Sequence, residues 1–190
     1  MATTFYLMRH GQTLFNVRRK IQGWCDSPLT ETGIEQAKMA SRFFDNIELD
    51  HLYSSSSERA CDTAEIVTHQ QMPYQRLKGL KEINFGTYES ESEDLHPNVD
   101  MRETYYVQFG GEAKAKVRER VVATCTEIMQ KPDHNTVLAV SHAGSCKQFL
   151  MHWHENHEEV LKNGIPNCAI FEYRFENDAF TFVRMIDVTK

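Results

Sequence analysis

The run Thr136-Val137-Leu138-Ala139-Val140 constrains the fold more than any other stretch of the sequence. It carries no charge and is rich in β-branched residues, so it reads as a strand, and its unbroken apolar character marks a strand covered on both faces. Such a strand needs helices above and below it. The neighbouring segments provide them. Val117, Val121, Cys125 and Ile128 share one helical face in the segment from Gly110-Gly111-Glu112 to about Gln130, and Cys146, Phe149, Leu150 and Trp153 share another.

The remaining chain repeats that alternation. Residues 3–9 form a first strand, and Thr13 caps a short helix in the segment from Gln12 to about Arg19. A helix opening at Thr30 or at the Thr32/Glu35 pair turns Ile34, Ala37, Ala40 and Phe44 inward. His51 to Ser54 reads as a second strand, and Glu58 to His69 as a helix with Ala60, Ala64 and Val67 inside. Leu77 to Ile83 is the expected third strand, and Cys168 to Phe175 with Ala179 to Val188 an antiparallel hairpin around Glu176-Asn177-Asp178. The expected architecture is a three-layer α/β/α sandwich with a mostly parallel central sheet and an antiparallel edge strand. One domain spans 1–190, with a short acidic, Ser-rich, lid-like excursion at about 88–110 that Pro97 keeps from being helical.

Composition narrows the function. A net charge of −6 disfavours a nucleic-acid partner, which clustered Lys and Arg would have to hold. No apolar run approaches the roughly 20 residues that span a bilayer, and Met1 to Thr4 open no leader pattern, so the expected location is cytoplasmic, with no membrane partner. The five cysteines have no CxxC spacing, which suggests neither a disulfide framework nor a zinc site. His152, His154 and His157 cannot share one helix face and are read as a polar surface segment, so no metal site is expected.

Reactive residue types stand where strands end. Arg9-His10-Gly11 follows the first strand, Ser54 to Arg59 the second, and Ser141-His142 the buried fourth. In a parallel sheet these ends share one edge, where ligands bind. Two guanidiniums can match phosphate oxygens, and a neutral imidazole whose other nitrogen is fixed by a hydrogen bond can attack phosphorus. Glu82, beside another expected strand end, is the candidate proton donor to a leaving alkoxide. Arg59, in the first turn of a helix, opposes the helix dipole unless an anion sits beside it.

Arg9-His10-Gly11-Gln12-Thr13 with Asn16 resembles the RHGxTxxN signature of the histidine phosphatase superfamily, also called the phosphoglycerate mutase-like family. The resemblance continues through Leu29 to Gly33, Tyr53 to Ala60 with Thr63-Ala64, Leu80-Lys81-Glu82 with Gly86, and Val140 to Gly144. It implies that His10 becomes phosphorylated, that Arg9, Arg59 and His142 hold the phosphoryl oxygens, and that Glu82 supplies the proton. Asn16, Thr13, Gln22 and Gly23 are then the substrate-binding set. Two places depart from the family pattern: Tyr88-Glu89-Ser90 stands where Trp and Glu-Gly are common, and Ala143 where a second Gly is.

The resulting expectation is a metal-independent phosphomonoester hydrolase acting on a small phosphorylated metabolite, with no cofactor and with a homodimer left open. The alternatives are a cofactor-dependent phosphoglycerate mutase and a non-catalytic module that binds phosphate esters.

Overall fold

The computed structural model describes residues 3–98 and 101–190. Its strands are β1 (Thr3–Arg9), β2 (His51–Ser55), β3 (Tyr74–Leu77), β4 (Thr136–Ser141), β5 (Ile170–Glu176) and β6 (Ala179–Ile186). They form one sheet in the order β3-β2-β4-β1-β5-β6. β4 lies inside it, parallel to β1 on one side and to β2 on the other, and Val137 to Ser141 are all buried. β3 extends the parallel part, while β5 and β6 add an antiparallel hairpin at the opposite edge. The antiparallel portion is therefore two strands. Asn177 and Asp178 make its turn, both in the left-handed region that a two-residue hairpin loop requires.

The helices are α1 (Leu14–Val17), α2 (Glu31–Phe44), α3 (Glu58–Val67), α4 (Lys114–Met129), α5 (Ala143–Trp153) and α6 (His157–Val160). Alternate residues of β1 feed two cores. Phe5 and Leu7 pack with Val117, Val121 and Phe149 of α4 and α5, whereas Tyr6 and Met8 pack with Ala37, Ala40, Ala64 and Val67 of α2 and α3. Period-two alternation on a covered strand thus sets the three layers. Among the described residues no helix is long and apolar enough to cross a membrane.

Several boundaries differ from expectation. The third strand lies earlier, at Tyr74–Leu77, and Lys78–Leu80 is already a 3-10 turn. Leu80 and Ile83, which made 77–83 look like a strand, are buried by packing against α4 and α5 rather than by joining the sheet. Ile34 is only half-buried, because Gly33 takes the inward position beside Ala37. Thr30 caps α2, its Oγ1 accepting the Gly33 N–H at 3.0 Å. The excursion carries short 3-10 turns at Gly86–Tyr88, Glu93–Leu95 and Tyr105–Phe109, and Val99 and Asp100 within it lie outside the described residues. His152 and Trp153 end α5, whereas His157 opens α6.

Two glycines aim the turn after β1. A Cβ on Gly11 would stand 2.5 Å from the Gly33 carbonyl oxygen, and one on Gly33 would stand 2.1 Å from the Gln12 carbonyl oxygen. The His10 to Gln12 backbone can therefore lie directly on the start of α2, which faces His10 toward the sheet edge where β2 and β4 also end.

Candidate active site

His10 is 4% exposed. Its Nδ1 is 2.7 Å from the Gly11 carbonyl oxygen, so that nitrogen carries the proton and Nε2 keeps its lone pair. The Arg59 Nε–H points at that lone pair from 3.3 Å. Burial above all, then Arg59 and Arg9, press the imidazole pKa well below the usual 6.5, against the opposing pull of the Gly11 bond. The ring is neutral at physiological pH.

His142 is the N-cap residue of α5, 5.2 Å from His10 between ring centroids. Arg59 Nη2 donates to its Nδ1 at 2.9 Å, so its Nε2–H donates to Ser55 Oγ at 2.8 Å. Burial first, then Arg59 and His10, hold this imidazole neutral as well.

Arg59 is 1% exposed, and all five of its N–H groups are engaged. Beyond the two histidines, Nη1 donates to the Cys25 carbonyl and to Asp26 Oδ1, each at 2.9 Å, and Nη2 donates to the Gly23 carbonyl at 2.8 Å. Asp26 also accepts the Glu58 N–H through Oδ2, so one carboxylate meets both the Arg59 cation and the N-terminus of α3. The anion that the sequence leads one to expect beside Arg59 is thus part of the protein. A phosphoryl group can reach Arg59 only by replacing one of these acceptors.

Glu82 is buried, and its carboxylate accepts three backbone N–H groups: Ile83 at 2.9 Å and Ser145 at 3.1 Å on Oε1, and Gly144 at 2.8 Å on Oε2. It sits on the positive end of α5. A Cβ on Gly144 would lie 2.4 Å from Glu82 Oε1, which is why glycine is needed in that first turn. The Glu82 backbone is pinned too, its carbonyl accepting from Trp24 Nε1 at 2.9 Å and Arg120 Nη2 at 2.7 Å.

A pocket of about 430 Å³ adjoins this cluster, with Arg9, His10, Asn16, Gln22 and Glu82 on its wall. Arg9 Nη1 donates to the Ile165 carbonyl, while its Nε is buried without a partner among the described residues. Asn16 Oδ1 accepts from the Thr13 N–H and from Asn167 Nδ2, at 3.1 and 3.3 Å. Thr13 is fully buried, caps α1, and donates through its hydroxyl to Gln22 Oε1 at 2.6 Å. Gly23 contributes its carbonyl to Arg59, and a Cβ there would meet the Ile83 carbonyl oxygen at 2.4 Å. Arg59, His142, Thr13 and Gly23 are not on the pocket wall: they hold the groups that are.

Other supporting residues gave no sequence signal. Glu89 accepts the Trp24 N–H at 2.7 Å and the Cys25 N–H at 2.5 Å, and so fixes the loop that offers Gly23, Cys25 and Asp26 to Arg59. Arg120 donates to the carbonyls of Gly79 and Lys81 as well as Glu82, and pairs with Glu112 at 2.9 Å. Asn167 Nδ2 and the Cys168 N–H both reach the His10 carbonyl, at 3.3 and 3.2 Å. Among the described residues no group of three His, Cys, Asp or Glu is arranged to hold a metal ion.

The sequence matches the histidine phosphatase superfamily (branch 1) over residues 5–188. The chain belongs to this superfamily. It is 31% identical over 184 residues to the "Probable phosphoglycerate mutase GpmB" of Proteus mirabilis, covering 90% of this chain and 85% of that protein. Its fold matches Bacillus stearothermophilus YhfR with a TM-score of 0.88 and 28% identity over the whole of both chains. It also matches Entamoeba histolytica phosphoserine phosphatase, solved in complex with 3-phosphoglyceric acid, with a TM-score of 0.80 and 25% identity over 97% of each chain. Family match and fold match therefore agree on the histidine phosphatase superfamily.

Proposed function

We propose that this histidine phosphatase hydrolyses a small phosphomonoester through a phosphohistidine at His10, without a metal ion. The observation that carries the reading is the His10 imidazole: Nδ1–H is committed to Gly11, Nε2 holds an unshared pair, and the ring stays neutral at the wall of a pocket sized for a small molecule. Nε2 attacks phosphorus and the ester P–O bond breaks. Glu82 is the group placed to pass a proton to the departing alkoxide. The resulting carboxylate then takes a proton from water as the water oxygen attacks phosphorus, the N–P bond breaks, and neutral His10 is restored with inorganic phosphate as product. The three backbone N–H groups on Glu82 keep its carboxyl in one orientation through both steps. Arg9, whose side chain lines the pocket, and Arg59, once an acceptor is displaced, supply charge to the equatorial oxygens.

The test is p-nitrophenyl phosphate hydrolysis with and without excess chelator, in the wild type and in His10→Ala. Chelator-resistant activity that vanishes in the variant, with acid-labile phosphorus-32 on the wild-type protein after quenching, is the expected result. Activity retained by His10→Ala overturns the mechanism. The names of the GpmB relatives favour a second reading, a phosphoglycerate mutase. Release of inorganic phosphate without a bisphosphoglycerate primer separates hydrolase from mutase, and ester binding with no label on His10 points to a non-catalytic module.

A further inference from the structure

The segment that carries Glu82 belongs to no strand or helix. β3 ends at Leu77, the 3-10 turn after it ends at Leu80, and the next turn starts only at Gly86. Leu80 and Ile83 anchor the segment in the core. Apolar anchors three positions apart still leave the peptide planes between them free to turn, and their carbonyls still need donors. Arg120 supplies those donors from α4, where Val117 and Val121 beside it are fully buried. Its Nη1 donates to the Gly79 carbonyl at 3.0 Å and to the Lys81 carbonyl at 2.6 Å, and its Nη2 to the Glu82 carbonyl at 2.7 Å. Nε and Nη2 also grip Glu112 Oε1 and Oε2, both at 2.9 Å. Glu112 in turn holds the far end of the segment: its Oε2 accepts the Asn84 N–H at 2.9 Å, and its own N–H donates to the Asn84 carbonyl at 2.8 Å.

Every N–H of the Arg120 guanidinium is therefore spent on residues 79–82 and on the carboxylate that binds Asn84. The planar fork holds these directions rigidly, which a point-charge ammonium cannot do. The other end of Glu82 is fixed as well, because its carboxylate accepts the first-turn N–H groups of Gly144 and Ser145, which have no partner within α5. Glu82 is thus strung between two helices, its backbone on α4 and its carboxylate on α5. Proton transfer to a leaving group depends on placement at the scale of an ångström. We propose that Arg120, held by Glu112, is the positioning residue for Glu82, setting where the proton donor stands against the leaving group. This inference rests on the phosphomonoester reading of the site, with Glu82 as the proton donor. Arg120 does not line the pocket. Its charge does bear on His142, after burial, Arg59 and His10, and a variant that keeps the charge separates that route from the positional one.

The test compares wild type with Arg120→Met, Arg120→Lys and Glu112→Gln in two ways. The first is kcat/KM for 4-nitrophenyl, phenyl and ethyl phosphate, which reports the steps up to departure of the leaving group. In Arg120→Met it should fall by about a hundredfold for phenyl and ethyl phosphate, whose leaving oxygens need a proton, and far less for 4-nitrophenyl phosphate. In a Glu82→Gln background the same substitution should add almost nothing to that selectivity. Arg120→Lys keeps the charge without the fork and recovers only part of the loss, and Glu112→Gln loses less than Arg120→Met. The second is amide hydrogen exchange at Gly144 and Ser145, which Glu82 alone protects and which needs no turnover. It should quicken in Arg120→Met while the amides inside β4 stay protected. Equal loss for all three esters, additive losses with Glu82→Gln, full recovery in Arg120→Lys, or unchanged exchange overturns the proposal. If Arg120→Met does not fold, the lysine and glutamine variants carry both readouts. Failure of the phosphatase reading appears elsewhere, as wild-type protein that never labels His10 while exchange at Gly144 and Ser145 still responds to Arg120.

Discussion

The inner end of the pocket and its mouth treat charge in opposite ways. At the inner end every donor of Arg59 is matched, both imidazoles have their tautomers fixed, and Glu82 is held by three backbone N–H groups. At the mouth, Lys20, Arg102, Lys114 and Lys147 line the cavity with no ion pair among the described residues. His10, Arg59 and His142 come from strand ends and helix starts, where the sheet fixes the backbone, and Glu82 from a segment held by bonds to the start of α5 and to Arg120. The mouth groups come from a loop, an excursion and the solvent side of two helices. Chemistry common to a superfamily can stay fixed at the first place while recognition varies at the second, because only the first is built into the sheet.

That contrast breaks most visibly at Arg59. Arg59→Met strands Asp26 and two buried imidazoles without their shared donor, and loss of one partner from a buried charged network costs about 3–5 kcal/mol. Lys147→Met, at the exposed mouth, should change unfolding free energy by no more than about 0.5 kcal/mol. Urea unfolding of the two variants against wild type is the measurement. Similar losses in both would show that the mouth cations are structural, and no loss in Arg59→Met would show that its bonds are replaced by water.

Acid should act on the inner end as well. His10 and His142 have folded-state pKa values pushed well below 6.5, so beneath that pH the unfolded chain takes up protons that the native protein refuses. Stability is therefore full above about pH 6.5 and is lost as the pH falls, by up to about 1.4 kcal/mol per pH unit for each ring. His96 and His134 shift in the same direction, so the decisive quantity is a difference. Between pH 6.5 and 5.5 the slope in His142→Gln should be shallower than in wild type by about half a proton at the upper end and about nine-tenths at the lower. Identical slopes would mean that His142 is solvated in solution.

What the sequence made legible follows the same division. β4, β1 and the two cores were readable because a buried strand and an amphipathic helix write their burial into a local period. His10 and His142 were readable because they stand where β1 and β4 end, whereas Glu82 lies beyond the end of β3 at Leu77 and was singled out beside a strand end that is not there. The third strand was misread because Leu80 and Ile83 are apolar for a reason other than sheet pairing. Asp26, Glu89, Arg120 and the Ile165 to Cys168 segment were not readable. Each acts through bonds to residues tens of positions away, such as Glu89 to Cys25 or Cys168 to His10, and a charged side chain aimed at a distant carbonyl leaves no periodic trace. Arg59 was placed in the right turn, but its saturation by Gly23, Cys25 and Asp26 depended on a loop whose path only Glu89 determines.

The boundary between the two regions carries a smaller expected effect than the inner end, at Ser90. This residue stands where the family pattern commonly has glycine, and it keeps the backbone conformation that glycine would favour, with φ of 69°. Its N–H donates to the Ile21 carbonyl at 2.9 Å, and the Ile21 N–H returns a bond to Glu91 at 2.8 Å, so the strained residue ties the excursion to a residue of the pocket wall. A left-handed residue with a Cβ costs roughly 1–2 kcal/mol, and the added unfolded-state freedom of glycine offsets part of that gain. Ser90→Gly should therefore stabilise the fold by up to about 1 kcal/mol, read as a rise in the urea midpoint with the slope unchanged. If stability rises while the wild-type rate on p-nitrophenyl phosphate is kept, the strain at Ser90 is a local accident of sequence. If stability rises and the rate falls, the strain holds Ile21 and the excursion in a working position, and the mouth is set by the backbone as well as by its cations.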